Sequence, residues 1–171
     1  FAGAYHRPDQ ARWERGYAAI TVPDRRWARV DIKSIGLLPN VLSQQAAVDA
    51  GVADSLLVKD GVAIEGSHNN VFGVFDGVVT THPASHEILH GVGREFVMEL
   101  ARGMGMTVVE RAIPIEEMRG ADEIFFTGTT TEVRPTVELD GKPVGDGAVG
   151  PVARALYEAF KTEALKEVAG G

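Results

Sequence analysis

Four short stretches of the chain carry side chains that could do chemistry. Lys33 closes the run "RRWARVDIK" just ahead of "SIGLLPNVL". A lysine is usually a solvated surface charge, but at the edge of a pocket that depresses its pKa it can form a Schiff base. In "IEGSHNN", residues 64–70, Glu65 follows an apolar residue and precedes a tight polar turn. It reads either as a strand-end carboxylate among turn-forming Ser and Asn, or as a carboxylate aimed at a protonated ring nitrogen, with those side chains fixing the loop.

The other two stretches suit an anion. "ILHGVGRE", residues 88–95, sends two glycines into a helix, where bare N–H groups and the positive end of the helix dipole can receive negative charge. It matches no nucleotide-binding fingerprint. "FFTGTTTE", residues 125–132, ends an apolar strand with Thr127, Gly128, Thr129, Thr130 and Thr131. That group is either an ordinary hydroxyl-rich turn or part of a phosphate cup. An amine, a carboxylate, an anion-binding helix start and a hydroxyl-rich loop together form the set of groups that pyridoxal phosphate requires.

The elements that must position these groups are legible as periodicities. Residues 1–16, with Pro8 and many charges, read as the end of an earlier region plus a connector. "RRWARVDIK" alternates, with Ala28, Val30 and Ile32 on one face, which predicts a strand with Lys33 on its polar side. Pro39 suits a first helical turn. Leu38, Val41, Leu42, Ala46 and Val48 supply an apolar stripe, and Gly51 a stop.

Hairpins are predicted around Asp60-Gly61, Asp76-Gly77 and the Asp-Gly of "RPTVELDGKPV". A helix starting near Val92 or Gly93 should bury Phe96, Val97, Leu100 and Ala101 and stop at Gly103 or Gly105. The strand "MTVVERAI", a short helix "IEEMRG", the strand "ADEIFFTG" and a final helix from about Pro151 to Lys166 complete the order. Strand groups punctuated by helices, rather than a strict βαβ repeat, predict an α+β fold with a mixed sheet.

The bulk properties bound the function. With 171 residues and 44% hydrophobic content, the chain can bury a core of its own. Its net charge is −7, with Lys and Arg scattered, so no nucleic-acid or anionic-membrane surface is expected. There is no cysteine, which excludes a thiolate metal site and a cysteine nucleophile and is compatible with a reducing cytoplasm. His68, His82, His86 and His90 match no compact ligand spacing, so no metal is expected. No apolar run is long enough to span a membrane, and a cytoplasmic protein is expected.

"DIKSIGLLPNVL", "EGSHNNVFGV", "ILHGVGRE" and "FTGTTTEVRPTVELDGK" resemble the successive signature segments of the fold-type IV pyridoxal-phosphate enzymes. That family includes D-amino-acid and branched-chain aminotransferases and aminodeoxychorismate lyase. The similarity runs from about Arg26 to the final helix. It implies a mostly antiparallel mixed sheet or partial barrel with packed helices, like the large domain of D-amino-acid aminotransferase. Residues 26–171 would form the cofactor domain, and 1–25 the end of an N-terminal region and its connector. The family's smaller N-terminal domain is expected to be missing.

The resemblance assigns roles residue by residue. Lys33 is implied as the catalytic Schiff-base lysine, and Glu65 as the partner of the pyridine nitrogen. Leu89 would pack on the ring face. Val92 and Gly93 would offer helix-start amides to the phosphate, with Gly128 and Thr129 beside them, and Arg26 is expected near the phosphate. Gly93 stands where relatives often have a threonine. "KSIGLLPNVL" resembles the D-amino-acid type more than the Gly-rich branched-chain type. The implied reaction is transamination between a D-amino acid and a 2-keto acid, carried out by a homodimer. A lyase that eliminates pyruvate, a branched-chain aminotransferase, and a truncated non-catalytic cofactor-binding domain are the alternatives.

Overall fold

A computed structural model describes residues 9–169. Ten strands form one sheet, built on Tyr17–Pro23 (β1), Asp54–Lys59 (β2), Val62–Gly66 (β3), Asn70–Phe75 (β4), Val78–Thr81 (β5), Val108–Glu110 (β6), Ile113–Pro114 (β7), Glu123–Gly128 (β8), Glu132–Leu139 (β9) and Lys142–Pro143 (β10). The order across it is β6-β5-β4-β8-β9-β1-β2-β3-β7, with β10 paired to β9. Three of the pairings, β1 with β2, β1 with β9, and β5 with β6, are parallel, and the rest are antiparallel. The expected α+β class with a mostly antiparallel mixed sheet is what forms.

The hairpins sit where the Asp-Gly pairs place them. Asp60, Gly61, Asp76, Gly77, Asp140 and Gly141 all have φ between 47° and 78°, the positive-φ geometry that primed turns demand. The helices are Gln10–Arg15 (α1), Leu38–Asp49 (α2), Val92–Gly103 (α3), Ile115–Met118 (α4) and Pro151–Ala169 (α5). Among the described residues no helix is long and apolar enough to cross a membrane.

The core lies on both faces of the sheet because the central strands alternate apolar residues two ways. On β8, Phe125 joins Trp13, Phe72, Val97 and Tyr157 under α1, α3 and α5, while Ile124 and Phe126 point to the other face with Leu56, Val71 and Met118. Phe72, Phe125 and Phe126 are fully buried, each worth roughly 1.5–3 kcal/mol of apolar burial. Arg94 is also buried. It anchors the start of α3 by donating to the His82 carbonyl at 2.8 Å and to Glu110 Oε2 at 2.6 Å.

One sequence expectation is corrected, and two further features stand out. Residues 25–33 form no strand, because the slot between β9 and β2 is filled by Tyr17–Pro23, and Pro23, lacking an N–H, closes that strand. The segment read as a connector is built into the fold: β1 is central, and Trp13 of α1 stacks on Tyr157 at 4.2 Å and donates to the Val133 carbonyl at 2.8 Å. Residues 1–8 of that segment lie outside the described residues. The apolar stripe of α2 faces outward, with Leu38, Val41, Leu42 and Val48 all more than half exposed and only Ala47 buried. In α3, Val97 and Ala101 are buried as expected, joined by Met98, while Phe96 and Leu100 are half-buried.

Candidate functional site

The loop after Pro23, the start of α2, the β3–β4 turn, the start of α3 and the end of β8 surround one cavity of about 1070 Å³. Arg26, Lys33, Glu65, Leu89, Val92, Gly93, Gly128 and Thr129 all line it. Four stretches of chain, at residues 26–33, 65, 89–93 and 128–129, thus deliver these eight residues to one place. Lys33 is exposed on the loop that leads into α2 and makes no hydrogen bond or ion pair among the described residues.

Glu65 is the buried charge of the site, at 4% exposure near the end of β3. The Arg26 guanidinium donates to its Oε1, and Asn70 Nδ2 donates to Oε2 at 2.7 Å. The Leu89 N–H lies 3.2 and 3.3 Å from the two oxygens. Burial nonetheless raises its pKa to about 7, outweighing the pull of Arg26 and the Leu89 N–H in the other direction. A carboxylate so desolvated favours a further cation beside it.

The resemblance places Arg26 near the phosphate, and in the structure two carboxylates engage its guanidinium. Its Nε and Nη2 clasp Asp24 at 2.9 and 2.8 Å, its Nη1 meets Glu65, and its Nη2 also reaches the Glu87 carbonyl at 3.2 Å. Burial alone would lower its pKa, but the two carboxylates outweigh that and raise it. Its charge is thus committed to the carboxylate end of the cavity rather than to an anion at the helix start. Asp24, whose pKa Arg26 holds low against the effect of burial, was not singled out in the sequence. An Asp two residues before an Arg carries no motif.

The anion-binding end rests on close backbone approach. A Cβ at Gly93 would lie 3.3 Å from the N, Cα and C atoms of Gly128, so the bare glycine lets the first turn of α3 sit tightly against the end of β8. The first amides of a helix have no intrahelical acceptor, and Val92 and Gly93 belong to that turn. Gly91 is held by Asn70, whose Oδ1 would lie 2.2 Å from a Cβ there. The Thr127 hydroxyl on β8 is buried without a hydrogen-bond partner and lines the same cavity. Asn70 ties the two ends together, since it also donates to the Leu89 carbonyl at 2.9 Å.

A third wall was missed in the sequence. Asn40 and Gln44 of α2 hold the β3–β4 turn through Asn40 Nδ2 to the Ser67 carbonyl, 2.7 Å, and Ser67 Oγ to Gln44 Oε1, 2.7 Å. The period-2 and period-3.6 patterns that locate elements do not reveal polar contacts 23 and 27 residues apart.

Comparison with known proteins agrees with the geometry. The chain is 39% identical over 156 residues to D-alanine aminotransferase of Bacillus licheniformis, covering 91% of this chain and 55% of that protein. A putative branched-chain amino acid aminotransferase from Thermotoga maritima superposes with TM-score 0.84 at 31% identity, covering 95% of this chain and 59% of that one. The branched-chain amino acid aminotransferase of Thermobaculum terrenum in its PLP-form superposes with TM-score 0.77 at 28% identity, over 85% and 50% of the two chains. The chain therefore spans a little over half the length of the curated relatives it matches. The family model for amino-transferase class IV matches residues 4–139, and the chain belongs to the class IV aminotransferases.

Proposed function

We propose that the chain carries the pyridoxal-phosphate site of an aminotransferase that moves an amino group between a D-amino acid and a 2-keto acid. The observation that supports this most is the meeting, in one cavity, of Lys33 with the buried carboxylate of Glu65 and the close-packed glycines Gly93 and Gly128. The residues fit the cofactor. Glu65, whose desolvation outweighs its Arg26 partner, suits a protonated ring nitrogen, and the start of α3 beside Gly128 and Thr129 suits a phosphate. Thr127 offers one further buried polar atom.

When bound, pyridoxal phosphate supplies an electron sink for the pair released as the substrate Cα–H bond breaks. Lys33 would hold the cofactor through its Nζ and, as a free base, would move the proton from substrate Cα. Glu65 would keep the ring nitrogen protonated, with Arg26, Asn70 and the Leu89 N–H holding the carboxylate in orientation. Leu89 would pack against the ring, while Val92, Gly93, Gly128 and Thr129 would hold the phosphate. Arg26 thus serves the cofactor through Glu65.

A branched-chain substrate is the second reading, favoured by the likeness to solved branched-chain enzymes. Transfer to a 2-keto acid from D-alanine, compared with transfer from L-leucine, decides between them. Pyruvate release without a keto acid would point to the lyase, and cofactor attachment without either reaction to a non-catalytic domain. A cytoplasmic homodimer belongs to the same proposal. The outward apolar run Ile35, Leu38, Val41 and Leu42, with Ile35 100% exposed, is the surface that a subunit contact would cover.

A further inference from the structure

We propose that His68 is a specificity-determining residue of the cavity, whose Nε2 accepts a hydrogen bond from an uncharged donor on the substrate side chain and disfavours a side-chain carboxylate. This rests on the aminotransferase reading above.

The tautomer of His68 is fixed by a run of hydrogen bonds that begins at α2. Gln44 Nε2 donates to the Ala53 carbonyl at 3.1 Å, so its Oε1 is the atom facing Ser67. Ser67 Oγ lies 2.7 Å from that oxygen and spends its one proton there. The same hydroxyl lies 2.9 Å from His68 Nδ1 and, with no proton left, accepts from it. Nδ1 therefore carries the proton of the neutral ring, and Nε2 is left with a bare lone pair. Asn40 pins the turn from the same helix, at 2.7 Å from the Ser67 carbonyl.

His68 lines the cavity together with Lys33 and Glu65, and its Nε2 has no hydrogen-bond partner among the described residues. The residue is exposed on the cavity wall. Desolvation lowers its pKa, with Arg134 adding to the effect and Asp54 opposing it. At neutral pH the ring is accordingly an acceptor. A carboxamide or hydroxyl can donate to it, whereas a carboxylate presents lone pairs to a lone pair. Built-in mismatch of this kind is how a site rejects an isostere.

Asparagine and aspartate, of the handedness the enzyme uses, differ at nearly constant shape in donor capacity and in charge, and the His68 variants isolate the part read by Nε2. In the complete protein loaded with pyridoxal phosphate, kcat/KM for asparagine should exceed that for aspartate by about tenfold, the size of one net hydrogen bond. His68→Leu should bring the ratio close to one, and His68→Gln, whose Oε1 can accept, should retain most of it. Side-chain ¹⁵N NMR should show the His68 proton on Nδ1 in the wild type and shared between the two nitrogens in Ser67→Ala. A proton on Nε2 in the wild type, or an unchanged ratio in His68→Leu while the borohydride adduct at Lys33 still forms, overturns this proposal and leaves the aminotransferase reading standing. Failure of the wild type to form that adduct overturns both.

Discussion

Asn70 Nδ2 lies 2.7 Å from Glu65 Oε2, bridging β3 and β4 inside the cavity wall. The same amide serves the Leu89 carbonyl, so one side chain sets the Glu65 carboxylate and the loop that leads into α3. Asn70→Leu should strip a donor from both acceptors. A loss of about 1–3 kcal/mol is expected for polar groups left buried and unmatched, together with weaker cofactor binding. Urea unfolding and a cofactor titration measure the two effects, and unchanged values in both would remove Asn70 from this role.

Gly91 should be intolerant of even one methyl group. Its φ of −71° suits any residue, so the constraint is contact alone, and a Cβ would come within 2.2 Å of Asn70 Oδ1. Gly91→Ala should destabilise by about 1–3 kcal/mol, as overpacking does, and should weaken cofactor binding as Asn70→Leu does. Combined with Asn70→Leu it should cost less than the sum, which a double-mutant cycle reads directly.

The cofactor-free protein should lose stability as pH rises through the neutral range. Burial raises the Glu65 pKa from 4.5 to about 7, so the folded state holds its proton where the unfolded state has lost it. The contribution is fully present below pH 4.5 and is lost between 4.5 and about 7, a change of about 3 kcal/mol at most. Asp24, with its pKa lowered, acts oppositely and loses its contribution only in acid. Denaturation of the cofactor-free protein at about pH 5 and about pH 8 should show the difference, and Glu65→Gln should flatten it. A slope that survives in Glu65→Gln would place the titrating group elsewhere.

Glu123 is a control away from the cavity. Its oxygens accept from the Val152 and Ala153 amides at 2.9 and 2.8 Å, capping the N-terminus of α5. Glu123→Ala should cost about 1–2 kcal/mol of stability with cofactor affinity unchanged. Loss of affinity would show that the site senses α5 packing.

Most of the fold was legible because its signals are local. Asp60-Gly61, Asp76-Gly77 and Asp140-Gly141 each announce a turn from two residues, and Pro39 and Gly51 bracket α2. The gathering of Glu65, Gly93 and Gly128 around one cavity was legible because they sit at the ends of such elements. What the sequence hid is long-range pairing. β1 is held by parallel partners 35 or more residues away, so the alternation in 25–33 competed for a sheet position it does not occupy. The engagement of Arg26 by Asp24 and Glu65 is likewise set by three-dimensional proximity. The stripe on α2 keeps its helical period and faces outward, because periodicity reports which face is apolar and not what lies against it.

The role of Lys33 is tested most directly by borohydride reduction of the purified protein after addition of pyridoxal phosphate, followed by peptide mapping of the label. The expected result is a visible absorbance band that reduction removes, with the label on Lys33 and none in Lys33→Ala. A label on another lysine, or a band that persists in Lys33→Ala, would contradict the assignment.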